Sequence, residues 1–313
     1  MSVLRLIDHD QVLAAIDPAK AIECVRDGFK RYALGEWRMP SKVYLDSAPH
    51  GDFRAMPAHG DGLAIVKWIT SFPGNPAKSL PTVTGIIIVS DAETGEPQAL
   101  IDARAVTALR TGAVAAVATQ ALAPAGAEKV GIVGCGLHGA WVGRCMSAAG
   151  FVAGVCSDRD DAAAAALAGE LGWQSGDRAA ALSCDVVCTI TPGDEPVVDA
   201  ADVRAGQHLN ALGADGPGKA EFTLDAVAQC DLYCDEWEQA SHGGELTGAV
   251  ESGAVTRENV GELGALLLAG ERRSGERASL FDSTGLAIQD LAICSALIDR
   301  LASGDLDAPI VEL

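Results

Sequence analysis

The chain has 313 residues, about half of them hydrophobic and a fifth charged, which is an ordinary globular composition and enough for two domains. Its formal charge of −20 argues against nucleic acid and against an anionic membrane as partners, because polyanions are repelled. A site for an anionic substrate then has to be built from a few placed cations, so single lysines and arginines carry information.

Residues 17–35 read as an amphipathic helix with Asp17 as N-cap, Pro18 in its first turn and Gly35 just past its end. From about 42 to 101 short β-rich runs follow: KVYLD, DFRAMP, LAIVKWITS, VTGIIIVSD and PQALID. Some are separated by turn-forming stretches such as FPGNPAKSLP and AETGEP, which points to an antiparallel or mixed sheet. A long helix spans about 102–122 and ends before Pro124. At Lys129 the rhythm changes. The strands KVGIV, VAGVCSD, DVVCTITP, HLNALGAD and LYCDE alternate with helical or turn segments, the pattern of a parallel, doubly wound sheet. A last amphipathic helix covers about 285–301. Nine cysteines are scattered without a C-x-x-C pair and suit small buried side chains in a reducing cytosol. No signal peptide and no run of about 20 apolar residues stands out, so a cytoplasmic protein without a membrane span is expected.

Gly134-x-Gly136-x-x-Gly139 follows a strand and opens a helix. The first glycine allows a tight turn, the second lets a pyrophosphate approach the backbone, and the third lets helix and strand pack closely. The helix start offers free N–H groups and a partial positive charge to phosphate. Asp158 closes the next strand, where a carboxylate accepts the adenosine ribose hydroxyls and repels a 2′-phosphate, favouring NAD over NADP. Four cations stand out elsewhere: Lys42, Arg54, Lys67 and Arg110. Lys67 lies in the apolar run LAIVKWI and needs an anion to answer it if buried. Together, in an acidic chain, the four read as a carboxylate site. Asp215 follows a strand of the parallel sheet, where it could hold a substrate amine or move its proton, although a turn-forming role fits that position as well. His242 and Glu245, in SHGGE, read as a polar loop or helix start rather than as metal ligands, and no metal is expected.

The segments MPSKVYL, FRAMPAH, VKWITSFPGNP, LPTVTG, TALRTGA, GIVGCGLHG, HLNALGADGPGK and FDSTGLAIQD, in this order, resemble the ornithine cyclodeaminase/mu-crystallin family through nearly the whole chain. The resemblance implies a substrate-binding and dimerisation domain of residues 1–122 with 285–313, and a Rossmann domain of residues 123–284 that binds NAD. It also implies a homodimer formed through the N-terminal sheets. Carried over by position, Lys67 and Arg110 bind the substrate carboxylate or border the cofactor, and Asp215 is the proton donor and acceptor. Thr82, Arg110, Thr111, Leu137, His138, Asp158, Thr189, Leu212, Lys219 and Ser283 line the NAD site with the three glycines, and Thr284 lies near the substrate.

Cyclodeaminases of the family carry Arg in place of Lys42 and Glu in place of Arg54. An arginine there repels the distal ammonium of ornithine by a few kcal/mol in a partly desolvated site. Lys42 with Arg54, KWITSFPGNP and GADGPGK instead resemble the family's archaeal-type alanine dehydrogenases. The expected activity is therefore NAD-dependent oxidation of a small amino acid to its 2-oxo acid, first of all alanine. The alternatives are ornithine cyclisation to proline, reduction of a ketimine or iminosuccinate, and nucleotide binding without turnover.

Overall fold

The structure, a computed structural model, describes residues 3–192, 195–216, 218–270, 273 and 275–312. It divides into two units, residues 1–110 with 286–313, and residues 111–285.

In chain order the first unit starts with β1 (Val3–Ile7), α1 (His9–Ala15), α2 (Pro18–Ala33), β2 (Val43–Ser47), β3 (Gly51–Gly60), β4 (Leu63–Ser71), β5 (Val83–Asp91) and β6 (Pro97–Asp102). Helix α3 (Ala103–Leu122) then runs through the division, which falls between Arg110 and Thr111. The family resemblance draws this boundary instead at the helix end, after residue 122. The reason for the difference is packing. Asn210 Nδ2 donates to Thr119 Oγ1 at 3.0 Å, and a Cβ on Gly112 would lie 2.3 Å from Trp141 O, so the second half of α3 is built into the second unit.

The second unit continues with β7 (Lys129–Val133), α4 (Leu137–Ala148), β8 (Ala153–Ser157), α5 (Asp161–Leu171), β9 (Gln174–Ser175), α6 (Arg178–Leu182), β10 (Val186–Thr189) and β11 (His208–Ala211). After these come α7 (Leu224–Val227), β12 (Cys230–Cys234), α8 (Trp237–Gly243), α9 (Thr247–Glu251), β13 (Val260–Glu262), α10 (Leu263–Ala269) and β14 (Ala278–Asp282). The chain then returns to the first unit with α11 (Ala287–Ser303) and β15 (Ile310–Glu312).

The strand order in the second unit is β13-β12-β14-β11-β10-β7-β8-β9, with every pairing parallel. The chain winds outward from β7 to β9, then crosses back to β10 on the other side. The β7/β10 boundary is therefore the switch point of a doubly wound sheet, beyond whose strand ends ligands of such sheets bind.

The first unit's sheet runs β15-β1-β6-β5-β4-β3-β2, antiparallel except where β1 pairs β6. Alternation along β4 gives it two unlike faces. Leu63, Ile65, Lys67 and Ile69 are buried, whereas Trp68 is 39% exposed. The register Met56↔Lys67↔Ile87↔Ile101 sets Lys67 in the middle of a row of buried apolar side chains. Helix α11 packs on β3 and β4, and α2 packs on α11.

Helix α2 follows its sequence signals: Asp17 accepts a hydrogen bond from Lys20 N and Pro18 occupies the first turn. Helix α3 corrects one expectation. By length and composition it could cross a membrane, but 94% of that stretch is buried inside the fold, as in a core helix rich in alanine. The cysteines are all free and all buried except the half-buried Cys24.

The α2–α11 contact is close because Gly28 has no side chain: a Cβ there would meet the Trp37 ring at 2.9 Å and Ala292 Cβ at 3.2 Å. Gly28→Val should destabilise the protein by about 1–3 kcal/mol through overpacking, seen as a lower urea midpoint at unchanged slope; an unchanged midpoint would show that the contact is loose.

Candidate functional site

The first unit gathers its cations on the buried sheet face. Lys67 Nζ lies 2.6 Å from Asp290 Oδ2 and 3.4 Å from Thr107 Oγ1, with the lysine 1% and the aspartate 0% exposed. Arg110, one turn beyond Thr107 on α3, places Nε 3.7 Å from Asp290 Oδ1 and donates from Nη1 to Gln289 Oε1 at 3.1 Å. Arg110 Nε and Gln289 Nε2 are buried without a hydrogen-bond partner among the described residues. Burial pushes the Lys67 ammonium down to about 8; Asp290 works against that shift, and Arg110 adds to it.

Two cations around one carboxylate leave an excess of positive charge in a dry place, with a guanidinium N–H still to be satisfied. That arrangement suits a carboxylate ligand. Sequence reasoning demanded an anion for Lys67 but did not identify Asp290 or Gln289, although both lie at the end of FDSTGLAIQD.

Arg54 shares the Lys67 face, since it pairs with Ile69, and is 7% exposed. Its Nε donates to Asp52 Oδ1 at 2.6 Å and its Nη2 to Asp52 Oδ2 at 3.3 Å, with the guanidinium 5.4 Å from the centre of the Tyr44 ring. Lys42 is half-buried just ahead of β2, and Thr82 is half-buried just ahead of β5, its carbonyl accepting from Phe72 N.

The second unit collects its expected residues along the carboxyl edge of the parallel sheet. Gly134 turns at φ 103°, and a Cβ there would stand 2.7 Å from Ile190 O. Gly139 leaves even less room, its Cβ position lying 1.9 Å from Gly134 O. Gly136 caps α4 in an extended conformation without any side-chain hydrogen bond, so the start of this helix brings its partial positive charge to the glycine turn. Asp158 sits past β8, its Oδ2 accepting from Cys135 N at 2.6 Å and its Oδ1 from Asp160 N at 2.9 Å. These features fit a dinucleotide: a backbone turn that only glycine can fill, a helix start beside it and a carboxylate at the loop.

Thr189 ends β10, Leu212 follows β11, and Ser283 with Thr284 follows β14. The bonds Leu212 N to Thr189 O and Ser283 N to Ala211 O, both 3.0 Å, set these residues side by side. Thr111 is buried in α3. Thr284 donates to Asp235 Oδ1 at 3.0 Å. Asp215 and Lys219 form an ion pair at 2.7 Å, with side chains 40% and 30% exposed. His242 and Glu245 go separate ways: His242 Nδ1 meets Ser241 Oγ and Glu238 O, whereas buried Glu245 accepts from Glu221 N and Phe222 N.

A doubly wound parallel sheet with a glycine turn at its switch point, joined to a mixed-sheet unit carrying a buried cationic site, places the chain among two-unit dinucleotide-type α/β proteins. The chain belongs to the ornithine cyclodeaminase/mu-crystallin family, whose pattern it matches over residues 6–305. It is 39% identical to an alanine dehydrogenase of Archaeoglobus fulgidus, with 97% of each chain covered. Among solved structures it resembles an archaeal alanine dehydrogenase dimer with bound NAD, at 36% identity and TM-score 0.93 over 99% of each chain. It also resembles the iminosuccinate reductase of Paracoccus denitrificans in complex with NAD+, at 25% identity and TM-score 0.89, over 99% of this chain and 100% of that one.

If Asp290 sustains the charge of Lys67, Asp290→Asn should lower the Lys67 titration midpoint from near 8 by about one unit or more, followed on the Lys67 Cε NMR signal. An unmoved midpoint would show that the 2.6 Å pair carries no weight.

Proposed function

We propose that the protein is an NAD-dependent amino acid dehydrogenase that converts L-alanine, NAD and water to pyruvate, ammonia and NADH. The observation that carries this reading is the buried Lys67–Asp290–Arg110 group, with its surplus positive charge and an Arg110 Nε that meets Asp290 only at 3.7 Å, beyond hydrogen-bond reach, in a chain that also holds a dinucleotide-type glycine turn. Likeness to the archaeal alanine dehydrogenases supports the choice of alanine.

The first unit is the substrate-binding and dimerisation unit, and the second binds NAD through Gly134, Gly136, Leu137, His138, Gly139 and Asp158, with Thr189, Leu212, Lys219 and Ser283 along the same edge. Thr82, Arg110 and Thr111 are the other residues that the family resemblance assigns to the cofactor, and Thr284 is the one it assigns to the substrate. Asp158 disfavours a 2′-phosphate by like charge, hence NAD rather than NADP. When bound, NAD accepts the hydride that leaves the α-carbon of the amino acid. Lys67 and Arg110 hold the substrate carboxylate in line for that transfer, with Lys42 and Arg54 stabilising charge around it. Asp215 takes the proton released as the amine becomes an imine, and handles protons again as water adds and ammonia departs.

The unit assembles as a homodimer through the outer face of the first sheet. There Val43, Ala55, Trp68 and Ile86 form one cross-strand row, with Val43 62% and Ile86 46% exposed and Leu45 57% exposed one row away. Free, mostly buried cysteines fit a reducing cytoplasm.

The direct test follows NADH absorbance with ammonium and pyruvate, with NAD plus L-ornithine as control. NADH loss that needs both pyruvate and ammonium is expected; proline and ammonia from ornithine without it would overturn the assignment. Lys67 is charged below its free-enzyme value of about 8 and neutral above it, so carboxylate binding is present at lower pH and lost as pH rises through 8. Accordingly kcat/KM for alanine should fall above about pH 8, and Lys67→Met should raise the alanine KM about 100-fold at neutral pH, or roughly 3 kcal/mol of lost charge pairing. A KM within threefold of wild type would remove Lys67 from the substrate site.

A further inference from the structure

One buried carboxylate in the second unit sits astride the edge just described without touching any residue assigned to catalysis. Glu221 is fully buried and accepts five hydrogen bonds. Its Oε1 takes Thr191 N at 2.7 Å and Thr191 Oγ1 at 2.8 Å. Its Oε2 takes Thr189 Oγ1 at 2.8 Å, Leu212 N at 3.2 Å and Gly213 N at 2.7 Å. Three of the five donors are backbone N–H groups that can only donate, and each oxygen faces at least one of them.

The two sets of donors belong to different strand ends. Thr189 and Thr191 flank Ile190 at the end of β10, and Ile190 is the residue against which the glycine turn rests: its carbonyl oxygen lies 2.7 Å from the Cβ position of Gly134, and its Cγ2 lies 3.3 Å from that of Gly139. Leu212 and Gly213 leave β11 and lead directly to Asp215. Gly213 must lack a side chain because the carboxylate occupies its place; a Cβ there would stand 2.6 Å from Glu221 Cδ and 2.2 Å from Thr191 O.

Glu221 is itself held firmly. Its carbonyl accepts from Val197 N and Val198 N, and its N–H donates to Glu245, which also accepts from Phe222 N.

We propose that Glu221 is a positioning residue that registers the turn after β10 and the Asp215 segment after β11 against the glycine turn after β7, so that one carboxylate sets the cofactor edge as a whole. The inference rests on the reading that this edge binds NAD. Burial raises the proton affinity of Glu221, and the donors from Thr191, Thr189 and Gly213 oppose that rise. An amide of the same size would turn its NH2 toward a backbone N–H on whichever side it faced, and two donors cannot bond each other.

The test uses the full chain. Wild type, Glu221→Gln and the milder Thr189→Val are compared by NADH fluorescence titration, by backbone hydrogen exchange with peptide resolution, and by thermal melting. Glu221→Gln should weaken NADH binding about tenfold and speed exchange at residues 189–191 and 212–213 while exchange in β12 stays as in wild type. Thr189→Val should weaken NADH binding in the same direction, and the double variant should bind no worse than Glu221→Gln alone, because both act through one contact.

Wild-type NADH affinity in a folded Glu221→Gln, or faster exchange spread evenly over the second unit, would overturn the proposal. Should Glu221→Gln fail to fold, Thr189→Val with wild-type affinity and local exchange would overturn it instead. A wild-type protein that binds no NADH would sink the cofactor reading itself, and the inference with it.

Discussion

A lysine ammonium without water has to be met by a carboxylate, and in this protein the carboxylate comes from the other end of the chain. Lys67 lies in the middle of the buried sheet face, between Met56 and Ile87, and Asp290 reaches it from α11 at 2.6 Å. Removing one partner of such a buried pair typically costs about 3–5 kcal/mol, as much as many whole domains can spare. The first unit therefore cannot be finished when α3 is made; it waits for the last helix. That requirement fits its discontinuity in sequence, residues 1–110 with 286–313 around a complete second unit. Gly28 lets α2 approach α11 closely and β15 adds the outer strand beside β1, so the returning segment is held on both sides of the charge it delivers.

Carboxylates perform a second task in the other unit. The chain is strongly acidic, yet Glu221, Asp235, Glu245 and Asp282 are all buried there. Each accepts backbone N–H groups: Glu221 from strand ends β10 and β11, Glu245 from Glu221 and Phe222, Asp282 from Leu246, and Asp235 from Gly285. Burial pushes Glu245 up to about 8 and Asp282 well above the usual carboxylate range, so some of these groups hold a proton under ordinary conditions. A parallel sheet leaves unpaired N–H groups where its strands stop, on the edge where ligands of this fold bind. Glu221 satisfies three of them at the ends of β10 and β11, those of Thr191, Leu212 and Gly213.

Much of this was legible in the sequence, and the exceptions have a common cause. Strands β2 to β6, helix α2 with its Asp17 cap, and the turn from β7 into α4 announce themselves through local alternation, capping and glycine spacing. The peculiarity of Lys67 also shows locally, as one charge in an apolar strand. What answers it does not, because Asp290 and Gln289 look like ordinary polar residues on an amphipathic helix until the fold brings them to Lys67 and Arg110. Glu221 is equally silent: it follows a glycine-rich loop, and nothing in its neighbours foretells five donors from two strands. Strand β14 escaped for a topological reason. It inserts between β11 and β12 out of chain order, a crossover that periodicity cannot register. Helix α3 was visible as a helix, but its many alanines hide how completely it is buried.

Charge on the buried face bears on the kind of acid the proposed activity accepts. Arg54 is answered within its own strand by Asp52 at 2.6 Å, and Asp290 answers one of the two charges on Lys67 and Arg110. These five groups together leave a surplus of one positive charge. The carboxylate of alanine or pyruvate answers that surplus and supplies an acceptor for Arg110 Nε. A second carboxylate on the same substrate would have to take Arg54 from Asp52, leaving a partly buried aspartate without its cation, or draw on Lys42, ahead of β2. The distal ammonium of a diamino acid meets the opposite difficulty, because the guanidinium that stands on this face repels it. For the proposed activity, selection against a charged side chain thus follows from how the chain pairs its own charges, before any question of volume arises.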